Sequence, residues 1–133
     1  MPKAKKVLFV CVENAGRSQM AEGFFRKYCA LEYEPQSAGT KPTGMINPLV
    51  VEAMKEVGID ISLQKPKTIS NSMIKEATRI VNMGCMDNES CPMLFVSDVT
   101  DWTIPDPKGQ SLEKVREIRD LIEKRIQDLC KTL

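Results

Sequence analysis

The chain has 133 residues, of which 42% are hydrophobic and 28% are charged, so residues 1–133 are expected to form one globular domain. Its 19 basic and 18 acidic side chains leave a net charge of +1, which argues against a large nucleic-acid or anionic-membrane surface but permits a small anion pocket. The sequence predicts no membrane-spanning helix, because it contains no apolar run of about 18 residues. The short apolar run after the basic MPKAKK is typical of a strand, not of a signal peptide.

The chain contains five cysteines and no histidine. An odd number of irregularly spaced cysteines argues against a disulfide scaffold and favours a reducing compartment, so we expect a cytoplasmic protein. The absence of histidine excludes Cys–His and Ser–His catalysis and most mononuclear zinc sites. Acid–base chemistry must then come from Asp, Glu, Lys, Tyr or Cys side chains.

Apolar strands are predicted to alternate with helices along the chain. The predicted elements are a strand at 5–11, a helix at 17–31, a strand at 33–39, a helix from Pro48 to Gly58, a short helix from Asn71, strands at 77–84 and 94–99, and a helix from Ser111. The continuous run KKVLFVC of the first strand is typical of a strand buried on both faces of a parallel sheet. Asn47, directly before Pro48, is predicted to cap the second long helix.

The last predicted helix has the clearest periodicity. Its apolar stripe consists of Leu112, Val115, Ile118, Ile122, Ile126, Leu129 and Leu133. Such a stripe packs one face of a helix against a core. Together with the alternation of strands and helices, it predicts a small doubly wound α/β domain with a mainly parallel sheet.

Chemically versatile side chains follow the ends of three predicted strands. In a parallel sheet, ligands bind beyond the carboxyl ends of the strands. Cys11 ends the first strand, Cys85 comes just after the strand at 77–84, and Asp106 lies in the loop after the strand at 94–99. We therefore expect a site at this edge of the sheet.

The stretch CVENAGRS joins the first strand to the first helix. A compact loop at a helix N-terminus can turn several backbone N–H groups inward and bind a tetrahedral oxyanion. Arg17 can grip two of the anion's oxygens, and Ser18 can donate a hydrogen bond to Cys11. The same field favours the Cys11 thiolate, which makes it a nucleophile facing a bound anion. The loop lacks the first glycine and the lysine of a Walker A motif, and the plainer alternative is a buried cysteine beside a solvated arginine.

CVENAGRSQMAEG resembles the signature loop of the low-molecular-weight protein tyrosine phosphatases and of the arsenate reductases that share their fold. The segments SAGT, INPLVVEAMKEVGIDIS and DPKG fit the same families, so the resemblance covers nearly the whole chain. It implies a four-stranded parallel sheet flanked by helices, with Cys11 as nucleophile, Arg17 as anion clamp and Asp106 as general acid. It also implies an oxyanion-binding loop made of Glu13, Asn14, Ala15, Gly16, Arg17 and Ser18, in which Asn14 and Ser18 hold the loop.

The segment VNMGCMDNESCPML places Cys85 and Cys91 six residues apart. It resembles the redox segment of the thioredoxin-coupled arsenate reductases. The resemblance implies that Cys85 attacks the arsenic adduct on Cys11 and releases arsenite, and that Cys91 then takes over the disulfide and presents it to thioredoxin. The predicted function is therefore arsenate reduction by a three-cysteine relay, in a monomer that uses no cofactor.

Two other functions remain open at this point. A phosphatase of this fold would need no cysteine pair, in which case Cys85 and Cys91 are two unreactive thiols. Such phosphatases tend to carry aromatic residues after the Asp-Pro, and none follows Pro107 here. A non-enzymatic thiol switch that senses an oxyanion or an oxidant is the third hypothesis. Asp106 itself could merely initiate a turn.

Three further expectations concern the remaining cysteines, Glu13 and a possible cation site. Cys29 and Cys130 lie within helical patterns and are expected to be core or half-buried thiols. Glu13 adds a carboxylate beside the anion, which lowers affinity unless it points away or is paired. Some family members bind potassium with side chains like Asn14, Glu22 and Ser37 and a downstream aspartate; Lys67 takes that last place here, so no bound metal is predicted.

Overall fold

The computed structural model describes residues 5–29, 32–84 and 99–133. Its elements are β1 (Lys5–Cys11), α1 (Arg17–Tyr28), β2 (Tyr33–Gly39), α2 (Pro48–Glu56), α3 (Asn71–Glu76), β3 (Ala77–Asn82), β4 (Val99–Asp101) and α4 (Leu112–Thr132). The predicted loop at 85–92 and most of the predicted strand at 94–99 lie outside the described residues. Within the described ranges, no helix is both long enough and apolar enough to cross a membrane.

β1 lies inside a sheet of order β2-β1-β3-β4 in which every neighbouring pair is parallel, as predicted. Val7 and Phe9 point into the larger core, which includes residues of α1, α2 and α4. Leu8 and Val10 point to the opposite face, where Ile74 of α3 packs. Because helices cover both faces of the sheet, these four side chains of β1 are fully buried. This burial explains why the middle of the strand is apolar on both of its faces.

The long helix α4 has the predicted stripe, and Ser111, where the predicted helix began, is its N-cap. The Ser111 hydroxyl accepts a hydrogen bond from the backbone N–H of Lys114 at 3.2 Å, which satisfies one free donor of the first turn. The stripe residues that are buried are Val115, Ile118, Ile122, Ile126 and Leu129. This face packs against α1 and α2, so α4 closes the larger core.

Cys29 and Cys130 form a disulfide, so the prediction that both are thiols is wrong. α1 ends at Tyr28, earlier than predicted, and Cys29 is its extended C-cap. The packing of α1 on α4 brings the two Cα atoms to 5.2 Å, which lies within the range that a disulfide needs. The cysteines are 101 residues apart, and no local pattern marks the contact.

Glu56 of α2 is held by two arginines of α4. Arg116 donates from Nε at 2.9 Å and from Nη2 at 2.6 Å, and Arg119 donates from Nη1 at 2.8 Å. The hydrogen bonds from Arg116 first, and then the one from Arg119, lower the pKa of Glu56 from 4.5 to about 2. The ionised carboxylate is therefore favoured in the folded protein relative to the unfolded chain.

Glu56→Gln should lower the free energy of unfolding at neutral pH, and this deficit should shrink with acid. A lowered folded-state pKa contributes stability above pH 4.5 that is lost as the pH falls toward 2. Urea unfolding of both proteins at several pH values between 7 and 2 measures the difference. Glu117→Gln, which removes an exposed pair with Lys114, serves as control. A Glu56→Gln deficit that stays constant across the pH series would contradict a stabilising contact of the ionised Glu56 with Arg116 and Arg119.

Candidate active site

Cys11 lies at the carboxyl edge of the sheet, where β1 passes into the loop 12–16 and then into α1. Its side chain is buried, and Sγ lies 2.9 Å from Oγ of Ser18 in the first turn of α1. Gly16 stands at the N-cap and has no side-chain oxygen to occupy the N–H groups of that turn. The positive end of α1 therefore faces the thiol and the space in front of it.

Asn14 holds the loop in shape. Its φ is 53°, a left-handed conformation that asparagine tolerates better than most residues. Its Nδ2 donates to Ser18 Oγ at 2.7 Å, its Oδ1 accepts from the Lys67 N–H at 2.8 Å, and its backbone oxygen accepts from Gln19 Nε2 at 2.9 Å. Because Asn14 donates to the Ser18 oxygen, the Ser18 hydroxyl proton is free to donate to Cys11 Sγ.

Arg17 is the first residue of α1, and its side chain is only 10% exposed. Nη1 donates to the backbone oxygen of Ile104 at 3.2 Å, and Nη2 lies 3.6 Å from Asp106 Oδ2. Gly84, with φ of 143°, lies against the guanidinium, and a Cβ at this position would overlap it. Sequence reasoning did not identify this contact, although a glycine directly after an apolar strand is a usable signal for a close approach.

Asp106 initiates a local turn, as one of the two interpretations of the sequence expected, and its second carboxylate oxygen faces the guanidinium of Arg17. Its Oδ1 accepts from the Lys108 N–H at 3.0 Å, which forms a local turn. Its Oδ2 faces Arg17, and the side chain is 55% exposed, so the carboxyl group has access to solvent protons. The turn holds Oδ1 in place and leaves Oδ2 directed toward Arg17.

Glu13 is paired, which is one of the two conditions under which its carboxylate would not disfavour an anion. Lys108 Nζ donates to Glu13 Oε1 at 2.5 Å. This hydrogen bond and the negative charge of Glu13 raise the pKa of Lys108 above its ordinary value. Lys108 follows the Asp-Pro, and sequence reasoning gave it no role beyond the DPKG motif.

A cleft of about 260 Å³ opens in front of the thiol. The expected site residues that line it are Cys11, Glu13, Ala15, Gly16, Arg17 and Asp106. Asn14 and Ser18 do not line it but lie fully buried, with the supporting hydrogen bonds described above. The lining residues that sequence reasoning missed are Thr43, Met45, Asn47, Pro107 and Lys108. The backbone N–H of Thr43 donates a hydrogen bond to the Glu13 oxygen, and that of Asn47 donates to the Ala15 oxygen. These two bonds attach the segment 43–47 to the oxyanion-binding loop.

The resemblance placed Lys67 where some family members have a potassium-binding aspartate, and the structure directs its ammonium group away from Asn14. Glu22 is buried and accepts from Ser37 Oγ at 2.8 Å and from Arg26 Nη2 at 3.1 Å. Lys67 comes close to Asn14 through its backbone, whereas its Nζ donates to the Lys65 oxygen. Over the part of the chain that the structure describes, the ion pair of Glu22 is with Arg26, and no group of three or more Cys, Asp or Glu residues could hold a metal ion.

The segment with Cys85 and Cys91 lies outside the described residues, so the structure does not place these two thiols. It does place Gly84, the residue before Cys85, against Arg17. Of the cysteines within the described ranges, Cys11 is free and the other two form the disulfide.

A buried thiol, an arginine and a helix N-terminus around one small cleft are an arrangement that can bind a tetrahedral oxyanion and offer it a cysteine nucleophile. Residues 6–133 match the family model of the low molecular weight phosphotyrosine protein phosphatases, and the chain belongs to this family.

Several similar proteins have been described as arsenate reductases. A putative arsenate reductase of Halobacterium salinarum is 40% identical over 130 residues, which cover 91% of this chain and 87% of the relative. The structure of an arsenate reductase in the phosphate binding state is 37% identical with a TM-score of 0.85, covering 96% of this chain and 98% of that one. A thioredoxin-dependent arsenate reductase of Corynebacterium glutamicum is 38% identical with a TM-score of 0.80; the match covers 96% of this chain but only 61% of that one.

Proposed function

We propose that this chain is an arsenate reductase in which Cys11, Cys85 and Cys91 act in turn and thioredoxin restores the reduced enzyme. The observation that carries the proposal is the buried Cys11 Sγ, 2.9 Å from Ser18 Oγ, on the floor of a cleft that Arg17 also lines. The similarity to arsenate reductases over more than nine-tenths of this chain supports the choice of anion. We further propose that residues 1–133 act as one monomeric domain in the cytoplasm, where thioredoxin operates.

In the first step, arsenate binds at the N-terminus of α1. Arg17 holds two of its oxygens, and the N–H groups of the loop hold the others. The Cys11 thiolate attacks arsenic, so an Sγ–As bond forms and one As–O bond breaks. Asp106 gives its proton to the departing oxygen, which leaves as water.

The next steps move two electrons to arsenic. The Cys85 thiolate attacks Cys11 Sγ, and the electron pair of the S–As bond stays on arsenic, which leaves as arsenite. Cys91 then attacks Cys85, which frees the Cys11 thiolate and forms a Cys85–Cys91 disulfide. Thioredoxin reduces that disulfide by the same exchange. The contact of Gly84 with Arg17 supports this order, because Gly84 directly precedes Cys85 in the chain.

Cys91→Ser should stop the relay after one cycle. We expect about one arsenite per chain and a trapped Cys11–Cys85 disulfide, because the thiol that resolves this bond is missing. Mass spectrometry of tryptic peptides after a single turnover identifies the bond. Cys85→Ser, the companion variant, should release no arsenite by the intramolecular route. Full multiple turnover of Cys91→Ser with thioredoxin would replace the three-cysteine relay with a two-cysteine or external-thiol mechanism.

Asp106→Asn should slow the attack on the anion by about 100-fold or more, the usual contribution of a general acid. The amide keeps an oxygen for the Lys108 N–H but supplies no acidic proton, so the turn is retained. Alkylation of Cys11 by iodoacetamide should proceed at the wild-type rate. Asp120→Asn, on the exposed side of α4, is the control. Loss of Cys11 alkylation in Asp106→Asn would mean that the residue only maintains the fold of the site.

Phosphatase activity is the second candidate function, and the family assignment favours it. Transfer of a phosphoryl group to Cys11 needs only residues that the structure places in the cleft, namely Cys11, Arg17 and Asp106. The two functions differ in their dependence on Cys85. Arsenite formation coupled to thioredoxin oxidation supports the reductase, whereas rapid phosphotyrosine hydrolysis that survives Cys85→Ser, without arsenite formation, supports the phosphatase.

A further inference from the structure

The loop after β4 meets the anion loop at three successive residues. We call this line of contacts the seam. It consists of Asp106 with Arg17, Pro107 with Gly16, and Lys108 with Glu13. At its centre a Cβ on Gly16 would come within 2.7 Å of Pro107 Cγ, so the two loops are in tight contact there. The seam closes one side of the cleft.

The seam runs from the buried floor of the cleft to its mouth. At the inner contact, the side chain of Arg17 is 10% exposed and that of Asp106 is 55% exposed. At the outer contact, Glu13 is 27% exposed and Lys108 is 70% exposed. The Glu13–Lys108 ion pair is therefore the part of the seam that a substrate entering from solvent meets first.

The geometry of the displacement determines which group of the substrate must lie beside the Glu13–Lys108 pair. In an in-line displacement the leaving oxygen lies opposite the attacking Cys11 Sγ. Asp106 protonates that oxygen, so whatever else is bonded to it lies beside residues 106–108. For arsenate the oxygen carries at most a proton and leaves as water. For a phosphate monoester it carries an organic group and leaves as an alcohol, so that group must occupy the mouth of the cleft.

We propose that the Glu13–Lys108 ion pair is a specificity determinant, which favours small inorganic oxyanions by closing the mouth of the cleft to an organic leaving group. The inference rests on the proposed function for the order of attack. Lys108 carries no aromatic ring that could hold an aryl ester, and its charge is engaged by Glu13. An ester must separate the pair before its leaving group fits, whereas arsenate reaches Cys11 with the seam closed.

Glu13→Gln combined with Lys108→Gln removes the ion pair but keeps the summed charge of the two positions at zero. The quantity to measure is kcat/KM for p-nitrophenyl phosphate divided by kcat/KM for arsenate. We expect this ratio to rise about fivefold, the upper range for an exposed ion pair. The reversed pair, Glu13→Lys with Lys108→Glu, restores the attraction and should bring the ratio back toward the wild-type value.

Lys114→Gln with Glu117→Gln is the matched control, because it removes an exposed ion pair of α4 at 3.7 Å. Its ratio should stay within about twofold of wild type. A similarly unchanged ratio in the Glu13/Lys108 neutral pair, or an equal rise in the reversed pair, would overturn the proposal. Urea unfolding establishes that each variant is folded. If the wild type reduces no arsenate, the proposed function is wrong. The reciprocal of the inhibition constant of inorganic phosphate then replaces kcat/KM for arsenate as the denominator of the ratio that tests this inference.

Discussion

Arg17→Lys is expected to lower kcat/KM for arsenate by about 100-fold or more, although the positive charge is kept. Losing one oriented donor to a developing oxyanion typically has an effect of this size. The guanidinium of Arg17 reaches the Ile104 oxygen with one nitrogen and the Asp106 carboxylate with the other, so its plane is set before the anion binds. A lysine ammonium is a point donor and reproduces neither the two-pronged grip nor this orientation.

Arg116→Lys is the matched control for this experiment. Arg116 also makes a two-pronged contact, with Glu56, but it lies on α4 and does not line the cleft. Its replacement should change the free energy of unfolding and leave kcat/KM for arsenate near the wild-type value. Steady-state kinetics and urea unfolding of both variants separate the two effects. A near-normal kcat/KM in Arg17→Lys would remove Arg17 from the role of anion clamp.

Cys130→Ser is expected to lower the free energy of unfolding by about 2–5 kcal/mol. The disulfide joins residues that are 101 positions apart, so it restricts the unfolded chain over most of its length. It also ties the end of α1 to the last turns of α4, the helix that closes the larger core. Denaturant unfolding under non-reducing conditions measures the loss.

Two comparisons test whether the disulfide is the cause of that loss. Dithiothreitol should lower the wild-type stability toward that of Cys130→Ser and leave the variant almost unchanged. Cys29→Ser should show the same loss, and the double variant should lose little more than either single one, because both changes remove one bond. Equal stability of the wild type with and without dithiothreitol would contradict the disulfide.

The local parts of the fold and site follow from the sequence. Strand β1, the turn and the start of α1 lie within CVENAGRS and the run before it, so Cys11, Arg17 and Ser18 are brought together by the geometry of consecutive residues. The same holds for the Asn47 and Ser111 caps, each of which accepts a hydrogen bond from a residue two or three positions further on. Short-range turns and helical periodicity depend on neighbours in the chain, which a sequence shows directly.

Contacts between distant segments were decided only by the tertiary structure. Glu13 and Lys108 are 95 residues apart, and the sequence placed Glu13 in the oxyanion-binding loop and Lys108 in the DPKG motif without pairing them. The Cys29–Cys130 bond likewise depends on where α1 crosses α4, which is set by the packing of apolar faces. Many charged or thiol side chains could satisfy such a pairing equally well. The parallel sheet selects among them, because it places all its carboxyl-end loops at one edge and the helix ends at fixed positions around the core.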